Sequence, residues 1–265
     1  MVKKSENIPE SVKSPVAQKS LHPNIENKVA VVTGGSRGIG FRIAEMLLAN
    51  GARVLIGARN ESDVRRAKDA LAQSAGDRVE GVTVDVRDYG QVEQLMAAAD
   101  RNFGGIDVLV NNAGIGIFQS VEKLTPQDWD AVIGTNLSGA FYCVHAAVPR
   151  MKRRGGGYIF NISSLAGKNP FAGGAAYNAS KFGLNGFSES MMLDLRYDNI
   201  RVSYILPGSV ETDFGHASSG KVQPPKATWK IDANDVAQIV VDLLKADSRV
   251  MLSRVEIRPS KPPKK

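Results

Sequence analysis

A single cysteine, Cys143, and three histidines, His22, His145 and His216, are all the thiol and imidazole ligands this 265-residue chain holds. One thiol excludes an internal disulfide and fits a reducing, cytoplasmic compartment. Within the apolar run 140–148 it reads as a packed core thiol. The histidines lie far apart and share no ligand spacing with the cysteine, so no metal is expected. Long apolar runs are missing too. None approaches the roughly 18 residues of a membrane helix, and nothing apolar follows Lys3 and Lys4 as a signal peptide requires. No membrane partner is expected. A concentrated basic body is also absent. Of the net charge of +7, Arg258, Lys261, Lys264 and Lys265 supply +4, and residues 1–27, with four lysines against three glutamates, supply +1. The body keeps +2, which excludes nucleic acid as a partner.

Ordinary globular composition remains, 43% apolar and 23% charged, on a chain long enough for one substantial core. Residues 1–27, broken by Pro9, Pro15 and Pro23, read as a flexible extension, residues 28–258 as one folded domain, and residues 259–265 as a basic Pro/Lys tail. Within the body, short apolar runs alternate with stretches of helical period. Strands are expected at 29–33, 52–57, 79–84, 107–111, 158–163, 201–206 and 255–257. Helices are expected at 38–50, 62–74, 89–103, 126–133, 137–153, 176–198 and 232–245, the last capped by Asp232. Strand-helix alternation of this kind implies an α/β fold: a doubly wound, seven-stranded parallel sheet with helices on both faces and ligands beyond the carboxyl ends of the strands.

The first strand runs into Thr33-Gly-Gly-Ser-Arg-Gly-Ile-Gly40. Glycines at 34, 38 and 40 let the backbone turn sharply and approach a pyrophosphate at the amino end of a helix, so Gly34, Ser36, Arg37, Gly38, Ile39 and Gly40 are expected to bind a dinucleotide. The second strand ends in Gly57-Ala-Arg-Asn60 with no acid to hydrogen-bond a ribose hydroxyl. Arg59, helped by Arg37, suits a 2′-phosphate instead, which favours NADP(H).

Farther along, Tyr177-Asn-Ala-Ser-Lys181 puts a phenol and an ammonium on one helical face. A neighbouring ammonium is expected to lower the phenol's pKa and suit Tyr177 to general acid catalysis. Ser164, rather than Ser163, is placed to hydrogen-bond a substrate oxygen as charge develops.

Taken in order, Thr33–Gly40, Asp85-Val86, Asn111-Asn-Ala-Gly114, Asn136, Ser164, Tyr177 with Lys181, and Pro207-Gly208 followed by Thr212 resemble the short-chain dehydrogenase/reductase family. The resemblance spans Lys28 to about Thr212 and implies a Rossmann-like single domain. It implies that Asp85 binds the adenine amino group, that Asn111 to Gly114 hold the fourth strand beside the adenosine ribose, and that Val210 and Thr212 grip the carboxamide, with Val86, Asn112, Ala113, Gly114, Pro207 and Gly208 also binding the cofactor. Asn136 would kink its helix and hold a water in a proton relay through Lys181, which also meets the nicotinamide ribose.

The implied reaction is reduction of a small carbonyl compound. The general pattern is similar to 3-oxoacyl-(acyl carrier protein) reductases, with Lys221, Lys226 and Lys230 to attract an acidic substrate. The carboxyl end looks more like hydroxy-acid or broad-range carbonyl reductases, and a non-catalytic NADP sensor is the reading of another class. The segment 213–231 is expected to form a mobile lid rather than a deep apolar tunnel, which argues against a steroid pocket. Helices 137–153 and 176–198 would pair copies into a homodimer, with a homotetramer as the alternative.

Overall fold

Apolar runs such as Val29-Ala-Val-Val-Thr33 need cover on both sides, and a parallel sheet with crossover helices supplies it. A computed structural model, which describes residues 24–212, 214 and 227–263, has this architecture. The elements are β1 (Val29–Thr33), α1 (Gly38–Ala49), β2 (Arg53–Ala58), α2 (Glu61–Ala75), β3 (Val79–Thr83), α3 (Tyr89–Phe103) and β4 (Val108–Asn111), then α4 (Pro126–Ile133), α5 (Gly139–Arg153), β5 (Gly157–Ile162), α6 (Ala175–Leu195), β6 (Ile200–Pro207), α7 (Ala233–Lys245) and β7 (Arg254–Ile257). The sheet order is β3-β2-β1-β4-β5-β6-β7, with every pairing parallel. The order in which strands are added reverses between β1 and β4, and the crevice at their carboxyl ends is where such a sheet binds its ligands.

Two apolar layers flank the sheet. Ile43 and Leu47 of α1, Leu71 of α2 and Val236 and Val240 of α7 pack on one face. Leu95 of α3, Cys143 and Val144 of α5 and Met191 of α6 pack on the other. Cys143 is a buried thiol pushed up to about 12 by burial alone, which makes it inert at neutral pH. Asn60, Asp88, Thr125 and Asp232 cap α2, α3, α4 and α7 with side-chain oxygens. Each such cap contributes about 1 kcal/mol.

Three differences from the sequence expectations have physical causes. Ile25 is 4% exposed inside the core, so the folded body begins ahead of Lys28. Residues 1–23, 264 and 265 of the expected extension and tail lie outside the described residues. The helix expected to reach Asp198 stops at Leu195 and closes through a 3₁₀ turn, Arg196–Asp198, ended by Asn199 in the left-handed region at φ 57°.

Finally, a π-helical turn, Gly134–Ser138, joins α4 to α5. The continuous helix Pro126–Arg153 has 28 residues and is long and apolar enough, by length and composition, to cross a membrane. That exceeds the sequence expectation because the π turn fuses two shorter helices. Half of its most apolar stretch is buried against the fold.

Candidate active site

Backbone geometry at the end of β1 depends on missing side chains. Gly34 and Gly38 stand in the left-handed region at φ 64° and 56°. At Gly40 a β-carbon would collide with the Asn112 amide nitrogen and the Gly34 carbonyl oxygen, so only glycine lets α1 start this close to β4. The buried Thr33 hydroxyl donates to the Val110 carbonyl at 3.3 Å and accepts from the backbone N–H groups of Asn112 and Ala113, both at 3.1 Å. Asn112 donates back to the carbonyls of Thr33 and Gly34 at 3.0 and 3.1 Å. The ends of β1 and β4 are thereby locked side by side. Unlike α2, α3, α4 and α7, α1 has no side-chain cap, and its first turn carries no acid. Its amino end opens on a cleft of about 820 Å³.

That cleft gathers nearly every residue singled out in the sequence. Gly34, Ser36, Arg37, Gly38 and Ile39 line it from the β1 turn, Arg59 from the end of β2, and Asp85 and Val86 from the end of β3. Asn112, Ala113 and Gly114 follow from β4, Ser164 from β5, Tyr177 and Lys181 from α6, and Pro207, Gly208, Val210 and Thr212 from β6. Gly40 and Asn136 do not line it. Gly40 acts underneath the turn. Asn136 sits in the π turn, 1% exposed, accepting from the Ile115 N–H at 2.8 Å and donating to the Ile115 carbonyl and Ser180 Oγ, both at 3.0 Å. Its amide is thus committed to holding the loop after β4. Asn111 is likewise turned inward, donating to Asn161 Oδ1 at 2.9 Å.

Charge in the cleft is unevenly paired. Arg87 grips Asp85 at 2.6 and 3.0 Å, and that guanidinium holds the Asp85 carboxyl below its ordinary range, with Arg59 adding a weaker pull. Asp63 is tied to Arg66 at 2.6 Å. Arg37 and Arg59 have no ion-pair or hydrogen-bond partner among the described residues, so two guanidiniums stand ready for an anion. The hydroxyl of Thr135, on the cleft wall, is buried with no hydrogen-bond partner. An uncapped helix end, free arginines and an orphaned hydroxyl on one long cleft fit a dinucleotide carrying phosphates.

At the other end, Ser163 also lines the cleft but is 5% exposed and donates to Asn185 Oδ1 at 2.5 Å, which engages its hydroxyl. Ser164 accepts from the Ala166 N–H at 3.1 Å and keeps its hydroxyl on the cleft beside Tyr177. Lys181 Nζ donates to the Ile162 carbonyl at 2.9 Å and lies 5.7 Å from the centre of the Tyr177 ring.

The expectation that Lys181 acidifies the phenol is overturned for the protein without ligand. Burial pushes Tyr177 up from its ordinary 10, with the Ser164 hydroxyl pulling weakly the other way, and burial pulls Lys181 down to about 8. Desolvation outweighs the ion-dipole effect because the ammonium turns to a backbone carbonyl instead of the phenol oxygen.

Three cleft residues were missed in the sequence altogether: Phe118, Phe171 and Phe214, all around Tyr177. Aromatic residues scattered over three loops share no spacing that could have flagged them. Of the three lysines expected to attract an acidic substrate, Lys221 and Lys226 lie outside the described residues, as do Asp213 and residues 215–226 of the expected lid. Lys230 is paired with Glu211 at 3.2 Å.

Comparison with known proteins adds relatives to this geometry. A family profile described as short chain dehydrogenase matches residues 28–223. A 3alpha-hydroxysteroid dehydrogenase of Mediterraneibacter gnavus is 37% identical over 190 residues, 71% of this chain and 76% of that protein. Among solved structures, a metagenomic short-chain oxidoreductase in complex with NADP superposes with a TM-score of 0.77 at 36% identity, over 90% of this chain and 100% of that one. A single-residue variant of actinorhodin polyketide ketoreductase with NADPH superposes with a TM-score of 0.79 at 32% identity, over 88% and 96%.

Proposed function

The chain belongs to the short-chain dehydrogenase family, and from that premise we propose that it is an NADP(H)-dependent oxidoreductase that reduces a carbonyl to an alcohol with Tyr177 as proton donor. One observation carries the reading. Tyr177, Ser164 and Lys181 meet in the same cleft that the uncapped helix α1 and the free Arg37 and Arg59 enter from the other side.

In this reading the amino end of α1, with Ser36, Gly38 and Ile39, holds the pyrophosphate, and Arg37 and Arg59 take the 2′-phosphate. Asp85 and Val86 border the adenine, Asn112 to Gly114 and Lys181 the riboses, and Pro207, Gly208, Val210 and Thr212 the carboxamide. NADPH, when bound, supplies the hydride. Tyr177 Oη gives its proton to the carbonyl oxygen while Ser164 Oγ donates a hydrogen bond to it. Lys181 Nζ, brought by burial to about 8, exchanges its proton near neutral pH and restores the phenol. Asn136 is a positioning residue, fixing Ile115 on the cleft wall.

Turnover tests this. The protein is expected to oxidise NADPH with at least one member of a panel of ketones, and to use NADPH in preference to NADH. Arg59→Asp is expected to lower kcat/KM for NADPH by about ten- to a hundredfold, the worth of a charge-assisted hydrogen bond, and to spare NADH. Equal use of both cofactors by the native protein would remove the 2′-phosphate from the reading, and binding of NADPH with no turnover of any carbonyl would favour a sensor.

An apolar outer face supports the further reading that the chain pairs with a copy of itself. Phe141 on α5 and Phe182 and Leu193 on α6 are 47%, 46% and 57% exposed, and Phe141 meets Phe187 of α6 at 6.0 Å. Two copies pair over this apolar face. Light scattering is expected to give twice the chain mass, or four times if dimers pair again; a monomer mass would refute it.

A further inference from the structure

Resting on the reading above, the ring cluster around Tyr177 narrows the substrate. Phe118 comes from the loop after β4, Phe171 from the loop before α6, and Phe214 from the segment after β6. All three rings touch the Tyr177 ring, at 5.6 Å and 78°, 6.5 Å and 49°, and 5.7 Å and 52° between centres and planes, and Phe118 meets Phe171 at 5.7 Å.

Their placement is built rather than incidental. A backbone bridge pairs Gln119 with Gly174, and Asn178 donates to the Phe171 carbonyl at 3.0 Å. A β-carbon at Gly116 would stand 2.5 Å from the Phe118 ring and 3.1 Å from that of Phe214, and one at Gly174 would stand 2.7 Å from Phe171, so glycine at both positions makes room for the rings. Yet the three residues stay between 43% and 46% exposed while lining the cleft, so apolar surface is left for a ligand to cover.

Charge is arranged the other way. Arg37, Arg59, Asp85 and Arg87 sit at the ends of β1, β2 and β3, the far side of the cleft. Near the rings, Lys181 is committed to the Ile162 carbonyl and Lys230 to Glu211. Among the described residues, each of the two ammonium groups lining that end of the cleft already has a partner.

We infer that the preferred substrate is an uncharged ketone bearing an aromatic group, its ring packed among Phe118, Phe171 and Phe214 and its carbonyl at Tyr177 and Ser164. The carbonyl carbon gains the hydride and the oxygen the phenol proton, so ketone, NADPH and a proton become secondary alcohol and NADP. This departs from the acidic thioester expected from the sequence, which relied on lysines that are paired or outside the described residues.

Initial rates with NADPH on acetophenone, 2-butanone and acetoacetyl-coenzyme A test it. Acetophenone is expected to exceed both others in kcat/KM, by about tenfold or more. Phe118→Ala and Phe171→Ala are each expected to lower the acetophenone to 2-butanone ratio of kcat/KM about tenfold, and to weaken by a similar factor the calorimetric binding of 1-phenylethanol to the enzyme with NADP. NADPH binding to each variant checks that it is folded. A preference for acetoacetyl-coenzyme A, or a ratio untouched by both substitutions, overturns the inference and leaves the carbonyl reductase reading standing. Absence of turnover with every carbonyl overturns both.

Discussion

Tyr177→Phe is expected to lower kcat for carbonyl reduction by about 10²- to 10⁴-fold, the usual worth of a positioned general acid. The change removes one oxygen and keeps the ring, so the contacts with Phe118, Phe171 and Phe214 survive and NADPH should still bind. Reduction needs a phenol that still holds its proton. Burial favours that form, because it raises the pKa of Tyr177, and so the acid is fully loaded at neutral pH. Its resupply is the weaker link. Lys181 gives up its own proton at about 8, so reduction is expected to decline as pH rises past that point, while alcohol oxidation, which needs the phenolate, gains. Rate-pH profiles in both directions check this. Retention of more than about a tenth of the native rate by Tyr177→Phe would move the acid role to another group, with Ser164 the next to examine.

Much of this site can be read from residue order. Consecutive apolar positions in β1 and β2 mark strands covered on both faces, and the glycines at 34, 38 and 40 announce a helix that begins against a neighbouring strand. Tyr177 and Lys181 share a face because 3.6 residues make a turn. What such spacing does not carry is direction. The Lys181 ammonium is claimed by the Ile162 carbonyl, a group from β5 that no local pattern connects to α6, and burial raises the phenol instead of the lysine lowering it. Likewise Asp85 takes its charge partner from Arg87 two residues on, and Asn136 spends its amide on Ile115. The phenylalanine cluster is the clearest case: three loops far apart in sequence converge only through the sheet. Tertiary contact decides these points, so periodicity is silent on them.

Lys181→Met tests how the fold tolerates its own chemistry, and it is expected to abolish most activity while making the cofactor-free protein more stable at neutral pH. Lys181 is 5% exposed, and the Ile162 carbonyl is its hydrogen-bond partner. An unfolded lysine keeps its proton up to 10.5, whereas the folded one loses it at about 8. Between those values the unfolded chain binds more protons, so stability rises with pH across that window; below 8 the full penalty applies, on the order of 3 kcal/mol. Methionine fills similar volume without charge, but it leaves the Ile162 carbonyl without its donor, which costs about 1–2 kcal/mol. The net gain expected at pH 7 is therefore about 1–2 kcal/mol, a rise in Tm of several degrees for a domain of this size. Thermal unfolding of both proteins from pH 7 to 10 reads it: the native protein gains on the variant as pH rises, and the two curves cross. A variant less stable than the native protein at pH 7, or a native stability flat across the window, would mean that the lysine is not held there at the expense of the fold.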